Sequence, residues 1–318
     1  MPFKDRGRIL RAVGGLLFLV GGVAAVMGPV EIYCFYLFSR GGPFYYEGFG
    51  VGSFMFANLA CQIAGYYLIA ALCLPLGYGH VRLRRWARTL AETLLWAWLV
   101  VGVPLTILFL LVLFSAKELS LATGAGAAAV LLLSYPLLPV LLLRFYRGEN
   151  VRQTLTRRDP EPAWIERWPV PVLVLGSLLT FYVLALHIPL LLNGLFPLFG
   201  HWLSGLDGFV ALTVAILALA FLTWGIWRQA AWAWWPALLG LVLLLLSSTW
   251  TLAGTSWAQL LALLNLPPTE LDILDGVPLQ GIHLALFIGL PLVLTVAAMF
   301  LSRRQYGASA TARGSEVE

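Results

Sequence analysis

The sequence predicts an all-α integral membrane protein with about eight transmembrane helices, and two observations support that prediction. First, 60% of the 318 residues are hydrophobic and only 11% are charged, whereas about 25% of residues are charged in soluble domains. Second, the chain contains eight apolar stretches, and a helix of roughly 20 apolar residues crosses a hydrocarbon core of about 30 Å. Lipid cannot satisfy backbone N–H and C=O groups, and these stretches lack the alternation of barrel strands, so we expect helices.

Polar turns separate the eight predicted spans. The spans lie near residues 10–32, 53–76, 90–113, 125–145, 169–192, 207–227, 232–252 and 281–301. The first span follows a basic segment, as in a signal peptide, but it is longer than the usual apolar region of such peptides and lacks a convincing cleavage site. We therefore expect this span to be a retained anchor.

Basic residues are distributed unequally between the two predicted sides of the membrane. Eighteen of the twenty Lys and Arg residues fall on one side, including the cluster in "YGHVRLRRWARTLAE" (78–92), and only Arg40 and Lys117 fall on the other. Because basic loops remain in the cytoplasm, we expect a multi-pass protein of a bacterial-type cytoplasmic (inner) membrane with both termini in the cytoplasm. This topology accounts for the net charge of +5, and we expect no nucleic-acid partner.

A motif that occurs twice predicts an internal repeat. Both copies read L-x-x-G-x-x-R-x-x-x-W-A, at residues 76–87 and 222–233, and each follows the second helix of a group of four. A parallel duplication of a four-helix unit would produce this pattern; alternatively, two cytoplasmic turns share Gly, Arg and an interfacial Trp independently. The predicted domains are residues 1–146 (first four-helix repeat), 147–168 (cytoplasmic linker), 169–304 (second four-helix repeat) and 305–318 (disordered cytoplasmic tail).

The linker contains most of the charge of one long loop, in "RGENVRQTLTRRDPEPAWIERWP" (147–169). Proline lacks the amide donor and restricts the residue before it, so "DPEP" ends any helix there. We expect a short helix before Asp159 and an interfacial segment that contains Trp164 and Trp168.

The apolar stretches lack the central ionisable groups that proton relays and ion-coupled carriers need. At a rise of 1.5 Å per residue, Glu31 lies about 30 Å from Arg11 and reaches the outer interface, while Glu92 follows Arg88 by four residues, which favours an ion pair. The sequence also lacks GxSxG, HExxH and P-loop motifs, and its three cysteines lack metal-ligand spacing. We therefore expect no enzymatic activity, catalytic residue, metal or cofactor.

Five polar side chains are candidates for a ligand site in the outer half of the membrane. Asn58 and Gln62 come from the first half of the chain, and His187, Asn193 and His283 come from the second. If the halves face each other across a pseudo-two-fold axis, these side chains would converge on an outward-opening cavity suited to a lipid headgroup or a small zwitterion. The alternative is that each forms a hydrogen bond with a neighbouring helix.

The first helix repeats glycine at every seventh residue, at Gly14, Gly21 and Gly28. Small residues on one face allow backbones to approach closely, so this face is expected to be buried in the bundle or to contact another membrane subunit. No motif is specific enough to assign a family. We expect a non-enzymatic protein that carries an apolar or zwitterionic substrate between its two halves; the alternatives are a structural or accessory subunit of a membrane complex, and a membrane enzyme acting at the outer interface.

Overall fold

Helices make up almost all of the computed structural model, which describes residues 3–115 and 120–314, with side chains as far as residue 303. The helices are α1 (Gly7–Phe38), α2 (Phe54–Val81), α3 (Arg85–Ser115), α4 (Leu121–Leu132), α5 (Leu138–Tyr146), α6 (Glu149–Arg158), α7 (Val170–Ala185), α8 (Ile188–Leu191), α9 (Gly205–Trp227), α10 (Trp234–Ala253), α11 (Trp257–Leu264), α12 (Pro268–Asp275) and α13 (Gly281–Gly314). The remaining elements are a π-helical turn (Leu133–Leu137), two 3-10 turns (Trp164–Arg167 and Ala231–Ala233) and two strands, β1 (Phe196–Leu198) and β2 (His201–Leu203).

Eight helical segments of the described residues are long and apolar enough to cross a membrane, so the protein is a multi-pass membrane protein, as predicted. Their mean hydropathies are 1.8 or higher, and they are Gly7–Phe38, Phe54–Val81, Arg85–Ser115, Leu121–Tyr146, Val170–Leu191, Gly205–Trp227, Ala231–Ala253 and Gly281–Arg303. Many of their large apolar side chains are exposed, among them Leu16, Leu19 and Val26 of α1, each at least 60% accessible. Such surfaces contact lipid in a bilayer.

The chain divides into two compact units. The first comprises residues up to 95 together with 140–170, and the second comprises 96–139 together with 171 onward. These packing units differ in extent from the predicted repeats. A unit of packing and a unit of duplication need not coincide, so the bounds of the repeats stay a prediction. Lys117, predicted on the outer side, lies outside the described residues.

In the first unit, α1 and α2 pack closely through glycine. A Cβ atom at Gly14 would lie 2.8 Å from the backbone nitrogen of Val81, and one at Gly28 would lie 2.7 Å from the ring of Tyr67. Gly21 meets the Leu74 side chain in the same way. The predicted glycine face is therefore buried against α2 of the same chain, and a partner subunit at this face would have to displace that helix.

The linker folds onto the end of this helix pair. The short helix predicted before Asp159 is α6, and Trp164 begins a 3-10 turn after the prolines. Apolar side chains of α6 join a buried cluster with residues of the neighbouring helices: Leu10, Leu76, Leu83, Ala87, Ala91, Tyr146, Val151 and Leu155. The linker is therefore an ordered part of the first unit.

The second unit contains a hairpin that the sequence analysis did not predict. Strands β1 and β2 pair antiparallel through a two-residue turn in which Phe199 and Gly200 both have positive φ, 43° and 88°, as a type I′ turn requires. Hydroxyl groups of α10 hold this turn, because Ser247 Oγ accepts from the Phe199 N–H at 3.0 Å and Thr251 Oγ1 accepts from the Gly200 N–H at 2.9 Å.

The last helix extends further than predicted. The sequence analysis placed a disordered tail at residues 305–318, but α13 continues to Gly314, and residues 315–318 lie outside the described chain. Alanines at 308, 310 and 312 favour helix in this segment, because alanine has the highest helix propensity.

Candidate functional site

A cavity of about 520 Å³ opens in the first unit between the linker and the start of α3. This volume lies within the range of about 300–1,000 Å³ that is usual for ligand sites. We call it the arginine pocket, and it is lined by Arg85, Arg88, Glu149, Arg152, Gln153, Leu155, Thr156, Arg157 and Glu166.

The turn between α2 and α3 brings two arginines to the pocket. Leu83 adopts a left-handed conformation with φ of 55°, and the Arg84 N–H donates to the Gly79 carbonyl at 2.7 Å. This turn reverses the chain so that α3 begins at Arg85. Arg85 and Arg88, one helical turn apart, then lie together on the pocket wall.

The opposite wall is α6, whose two faces differ in polarity. Val151, Thr154 and Leu155 are buried against the rest of the first unit, with Leu155 also on the pocket wall, while the basic Arg152 and Arg157 line the pocket. A helix period of 3.6 residues produces this separation of faces. The helix therefore presents basic side chains to the pocket while its apolar side anchors it.

The residue that ends α6 also caps α3. Asp159 Oδ2 accepts from the Arg85 N–H at 3.1 Å, and its Oδ1 accepts from Arg84 Nη1 at 3.1 Å. A carboxylate at this position accepts a hydrogen bond from a free N–H of the first helical turn, and its negative charge interacts favourably with the positive end of the helix dipole. Asp159 thereby fixes the linker relative to the α3 arginines.

Three arginines of the pocket have carboxylate neighbours. Arg85 Nε donates to Glu166 Oε1 at 3.2 Å, and its Nη1 donates to the Pro160 carbonyl at 3.0 Å. Arg152 Nε lies 3.0 Å from Glu149 Oε2. The guanidinium group of Arg85 is therefore oriented before any ligand enters, whereas the pair of Arg152 with Glu149 is more than half exposed and holds Arg152 weakly.

Arg88 is held differently, by a buried network behind the pocket wall. Its Nε donates to the Tyr146 carbonyl at 3.0 Å and lies 2.8 Å from Glu92 Oε1, so the predicted pairing of Arg88 with Glu92 is present. The Tyr146 hydroxyl donates at 2.7 Å to His80 Nε2, because His80 Nδ1 already donates to the Leu76 carbonyl. This network fixes the Tyr146 backbone that positions Arg88.

The N-terminal segment, residues 3–6, packs against the outer side of α6. The Arg157 guanidinium lies 3.9 Å from the centroid of the Phe3 ring, and Arg158 Nη2 lies 3.7 Å from Asp5 Oδ2. The Arg6 N–H donates to Thr154 Oγ1 at 3.0 Å. Among the described residues, Arg157 is the one pocket arginine with no carboxylate oxygen within 4 Å.

Two exposed carboxylates, one in the first turn of α6 and one in the N-terminal segment beside this helix, are kept ionised by their neighbours. Hydrogen bonds from Gln153 and Arg152 lower the pKa of Glu149, and the Gly7 backbone N–H, together with Arg158, lowers the pKa of Asp5. Both groups are therefore charged at neutral pH, and their contacts are lost only as the pH falls through these lowered pKa values.

The pocket wall contains four arginines and two glutamates, which leaves two positive charges in excess. Guanidinium groups bind phosphate and carboxylate oxygens through paired, charge-assisted hydrogen bonds. The arrangement therefore suits an anion. Within residues 3–115 and 120–303, no cluster of His, Cys, Asp and Glu side chains fits a metal ion.

The five predicted ligand residues lie elsewhere. Asn58 is exposed and Gln62 is half-buried on α2. His187 Nδ1 donates to the Val183 carbonyl at 2.8 Å, Asn193 Nδ2 donates to the Leu263 carbonyl at 3.2 Å, and His283 Nδ1 accepts from the Gln280 N–H at 3.3 Å. None of the five lines the arginine pocket or a smaller apolar cavity of about 280 Å³ along α3, and their convergence stays a prediction.

Sequence reasoning did not find the arginine pocket, although both of its basic segments were noted. Their arginines were interpreted as markers of topology, for which the positive-inside rule is sufficient. The signal that points to a site is the acidic set in the linker, since Glu149, Asp159 and Glu166 each pair with an arginine.

Compared with known proteins, the chain matches no family model, no curated protein and no solved structure.

Proposed function

We propose that this protein is a non-enzymatic, multi-pass protein of a bacterial-type cytoplasmic membrane that binds a phosphate-type anion in the arginine pocket, on the cytoplasmic side. The supporting observation is a cavity of about 520 Å³ whose wall has four arginines and two glutamates. Two of these arginines, Arg85 and Arg88, are part-buried and paired with carboxylates, so ordering their side chains on binding costs little entropy. The excess of basic residues at this end supports the cytoplasmic orientation.

This proposal develops the accessory-subunit alternative, because a pocket open at one end of the helices suits recognition better than passage. Carriage of an apolar or zwitterionic substrate between the two halves, and enzymatic action at the outer interface, stay predictions. The two motif turns have the same pattern of backbone hydrogen bonds, which supports an origin by duplication.

Anion binding is tested with a matched pair of substitutions on α6. Arg152→Gln removes a guanidinium from the pocket, whereas Arg158→Gln removes the same charge from the same helix outside the pocket. Inorganic pyrophosphate is expected to raise the Tm of the purified protein in detergent. We expect about tenfold weaker binding for Arg152→Gln, in line with the loss of one charge-assisted hydrogen bond, and nearly unchanged binding for Arg158→Gln.

Equal effects of the two substitutions would mean that pyrophosphate responds to net charge alone, and would contradict the proposed pocket. A salt titration gives a second measure, because the pocket includes the part-buried Arg85 and Arg88, and part-buried charges are screened less strongly than exposed ones. Binding in the pocket is expected to persist at about 0.15 M salt, the physiological ionic strength.

The orientation is tested by labelling in intact cells, with the three native cysteines replaced by alanine. Cysteine at the exposed position Glu47 is expected to react with a membrane-impermeant reagent added outside, and cysteine at the exposed position Glu161 of the linker is not. The reverse pattern would place the basic end outside.

A further inference from the structure

Exposed aromatic side chains gather at one end of the second unit, where α9 ends and α10 begins. The Phe221 ring stacks on the Trp232 ring with the centroids 5.0 Å apart, and on the Trp224 ring at 5.8 Å. These three rings are each at least 45% exposed, and Trp235 in the first turn of α10 is 55% exposed. Two adjacent arginines complete a group that we call the tryptophan surface: Phe221, Trp224, Arg228, Trp232, Trp235 and Arg303.

The two arginines lie over the faces of tryptophan rings. The Arg228 guanidinium is 4.5 Å from the centroid of the Trp224 ring, and the Arg303 guanidinium is 4.9 Å from the centroid of the Trp235 ring. A guanidinium that stacks through its face keeps the N–H donors at its edge for phosphate oxygens. Both arginines are exposed, so a ligand can reach these donors.

The chain leaves the positive charge of the tryptophan surface without a carboxylate. Residues 208–269 and 276–315 contain no Asp or Glu, and no described carboxylate oxygen lies within 4 Å of Arg228 or Arg303. At the same end, the N-cap residue of α10, Ala233, forms no side-chain cap, and the first turn has no acidic residue, so the positive end of the helix dipole adds to this charge. The surface therefore complements a headgroup with a net negative charge better than a zwitterionic one.

The position of the tryptophan surface indicates that its ligand is a lipid. Three spans begin or end there: Gly205–Trp227, Ala231–Ala253 and Gly281–Arg303. Exposed tryptophan at the end of a span is typical of the headgroup layer, and basic residues in that layer attract anionic lipids. Phe221 precedes Arg228 by seven residues of α9, about 10 Å along the helix, so exposed rings continue from the charged end towards the hydrocarbon core, as an acyl chain does.

From these observations we infer that the tryptophan surface binds anionic phospholipids of the phosphatidylglycerol type. The guanidinium groups of Arg228 and Arg303 donate to oxygens of the headgroup, while the rings of Phe221 and Trp224 contact the glycerol and the acyl chain. This site belongs to the second unit and does not depend on the arginine pocket, which lies in the first.

The test compares two phospholipids with the same acyl chains, phosphatidylglycerol and phosphatidylcholine, which differ in net charge. Native mass spectrometry of the full-length protein in detergent is expected to show a preference for phosphatidylglycerol. Arg228→Gln and Arg303→Gln are each expected to reduce this preference about fivefold, the usual effect of one basic residue near an anionic membrane surface. Unchanged phosphatidylcholine binding shows that the variants are folded. Equal affinities of the unaltered protein for both lipids would overturn the inference, and an acidic protein segment would then be the better occupant.

Arg152→Gln is the control for charge and for the other basic site. It removes the same charge as Arg228→Gln, but from the arginine pocket, and is expected to leave the phosphatidylglycerol preference unchanged. A loss of preference in Arg152→Gln as large as in Arg228→Gln would mean that the lipid responds to net charge or occupies the pocket, and would overturn the inference.

Trp235→Leu tests the stacking, because it keeps an apolar side chain and removes the ring that orients Arg303. The phosphatidylglycerol preference is expected to fall about threefold, in line with the loss of one exposed cation–π contact. Trp250→Leu is the matched control, since Trp250 is 67% exposed near the opposite end of the same helix, and it is expected to retain the preference. Equal losses in the two variants would overturn the proposed location of the lipid.

Discussion

The turn between α2 and α3 and the turn between α9 and α10 have nearly the same backbone but different surroundings. Leu83 and Gln229 both have φ of 55°. The N–H of the next residue donates to a glycine carbonyl in each turn, from Arg84 to Gly79 at 2.7 Å and from Ala230 to Gly225 at 3.0 Å. The shared motif therefore specifies a particular reversal of the chain.

The surroundings differ at the left-handed residue itself. Leu83 belongs to the buried cluster that includes Val151 and Leu155 of the linker helix. Gln229 is also buried, at 4% exposure, but neither amide atom of its side chain has a hydrogen-bond partner in the described structure. The first position is thus filled by an apolar side chain, whereas the second contains a polar group that packing does not satisfy.

The charged partners differ as well. Arg84 and Arg85 of the first turn pair with Asp159 and Glu166 of the linker. At the second turn, Arg228 lies 4.5 Å from the centroid of the Trp224 ring, and no described carboxylate oxygen lies within 4 Å of it. The motif therefore specifies the helix reversal, while the pocket depends on the linker that folds onto one copy of the motif.

The largest effect is expected at the two glycines, where the turns are most alike. A Cβ atom at Gly79 would lie 2.6 Å from Ala87 Cβ, and one at Gly225 would lie 2.6 Å from Ala233 Cβ. Substitution of either glycine by alanine is expected to reduce the free energy of unfolding by about 3 kcal/mol, in the upper range of overpacking costs. Unfolding in mixed micelles with increasing SDS measures this change.

Gly15→Ala is the matched control for both substitutions. This glycine lies inside α1, and no atom lies within 4 Å of the position that an added methyl group would occupy. Its replacement is expected to be neutral or stabilising by up to about 1 kcal/mol, because glycine is unfavourable inside a helix. A large loss at only one of Gly79 and Gly225 would show that the two turns are not mechanically equivalent.

Exchanging the left-handed residues is expected to change the free energy of unfolding in opposite directions at the two turns. Leu83→Gln buries an amide in an apolar cluster and is expected to cost about 2 kcal/mol. Gln229→Leu removes two unpartnered polar atoms from a buried position and is expected to stabilise the protein by about 1 kcal/mol. The same unfolding measurement applies, and a loss of stability in Gln229→Leu would indicate that this amide binds a group absent from the described structure.

The fold could be predicted from sequence to the extent that each element follows from local physics. Hydropathy alone located all eight spans, since a bilayer requires long apolar helices. Proline in "DPEP" located the end of α6. The hairpin at residues 196–203 was not predictable, because it depends on hydroxyl groups of Ser247 and Thr251 that are distant in sequence.

The candidate site was less predictable than the fold because, like the hairpin, it depends on contacts between residues that are distant in sequence. Arginines in a turn satisfy the positive-inside rule whether or not they form a pocket, so the number of arginines does not predict a ligand site. What makes the site is the approach of residues 149–166 to residues 85–92, and that approach depends on Val151 and Leu155 packing in the buried cluster. The apolar residues of this charged linker, together with its carboxylates, are the sequence features from which the approach could have been predicted.

The smallest effect is expected at the helix cap that only the first turn possesses. Asp159 Oδ2 accepts from the Arg85 N–H at the start of α3, at 3.1 Å. The N-cap residue of α10 is Ala233, and no side chain accepts a hydrogen bond at that helix start. Asp159→Ala is expected to reduce the free energy of unfolding by about 1 kcal/mol, the usual value of a cap. Asp159→Asn keeps an acceptor for the N–H and loses only the charge, so about half of the loss is expected. Because Asp159 lies between α6 and α3, Asp159→Ala is also expected to weaken pyrophosphate binding, and unchanged binding would show that the cap does not position the arginine pocket.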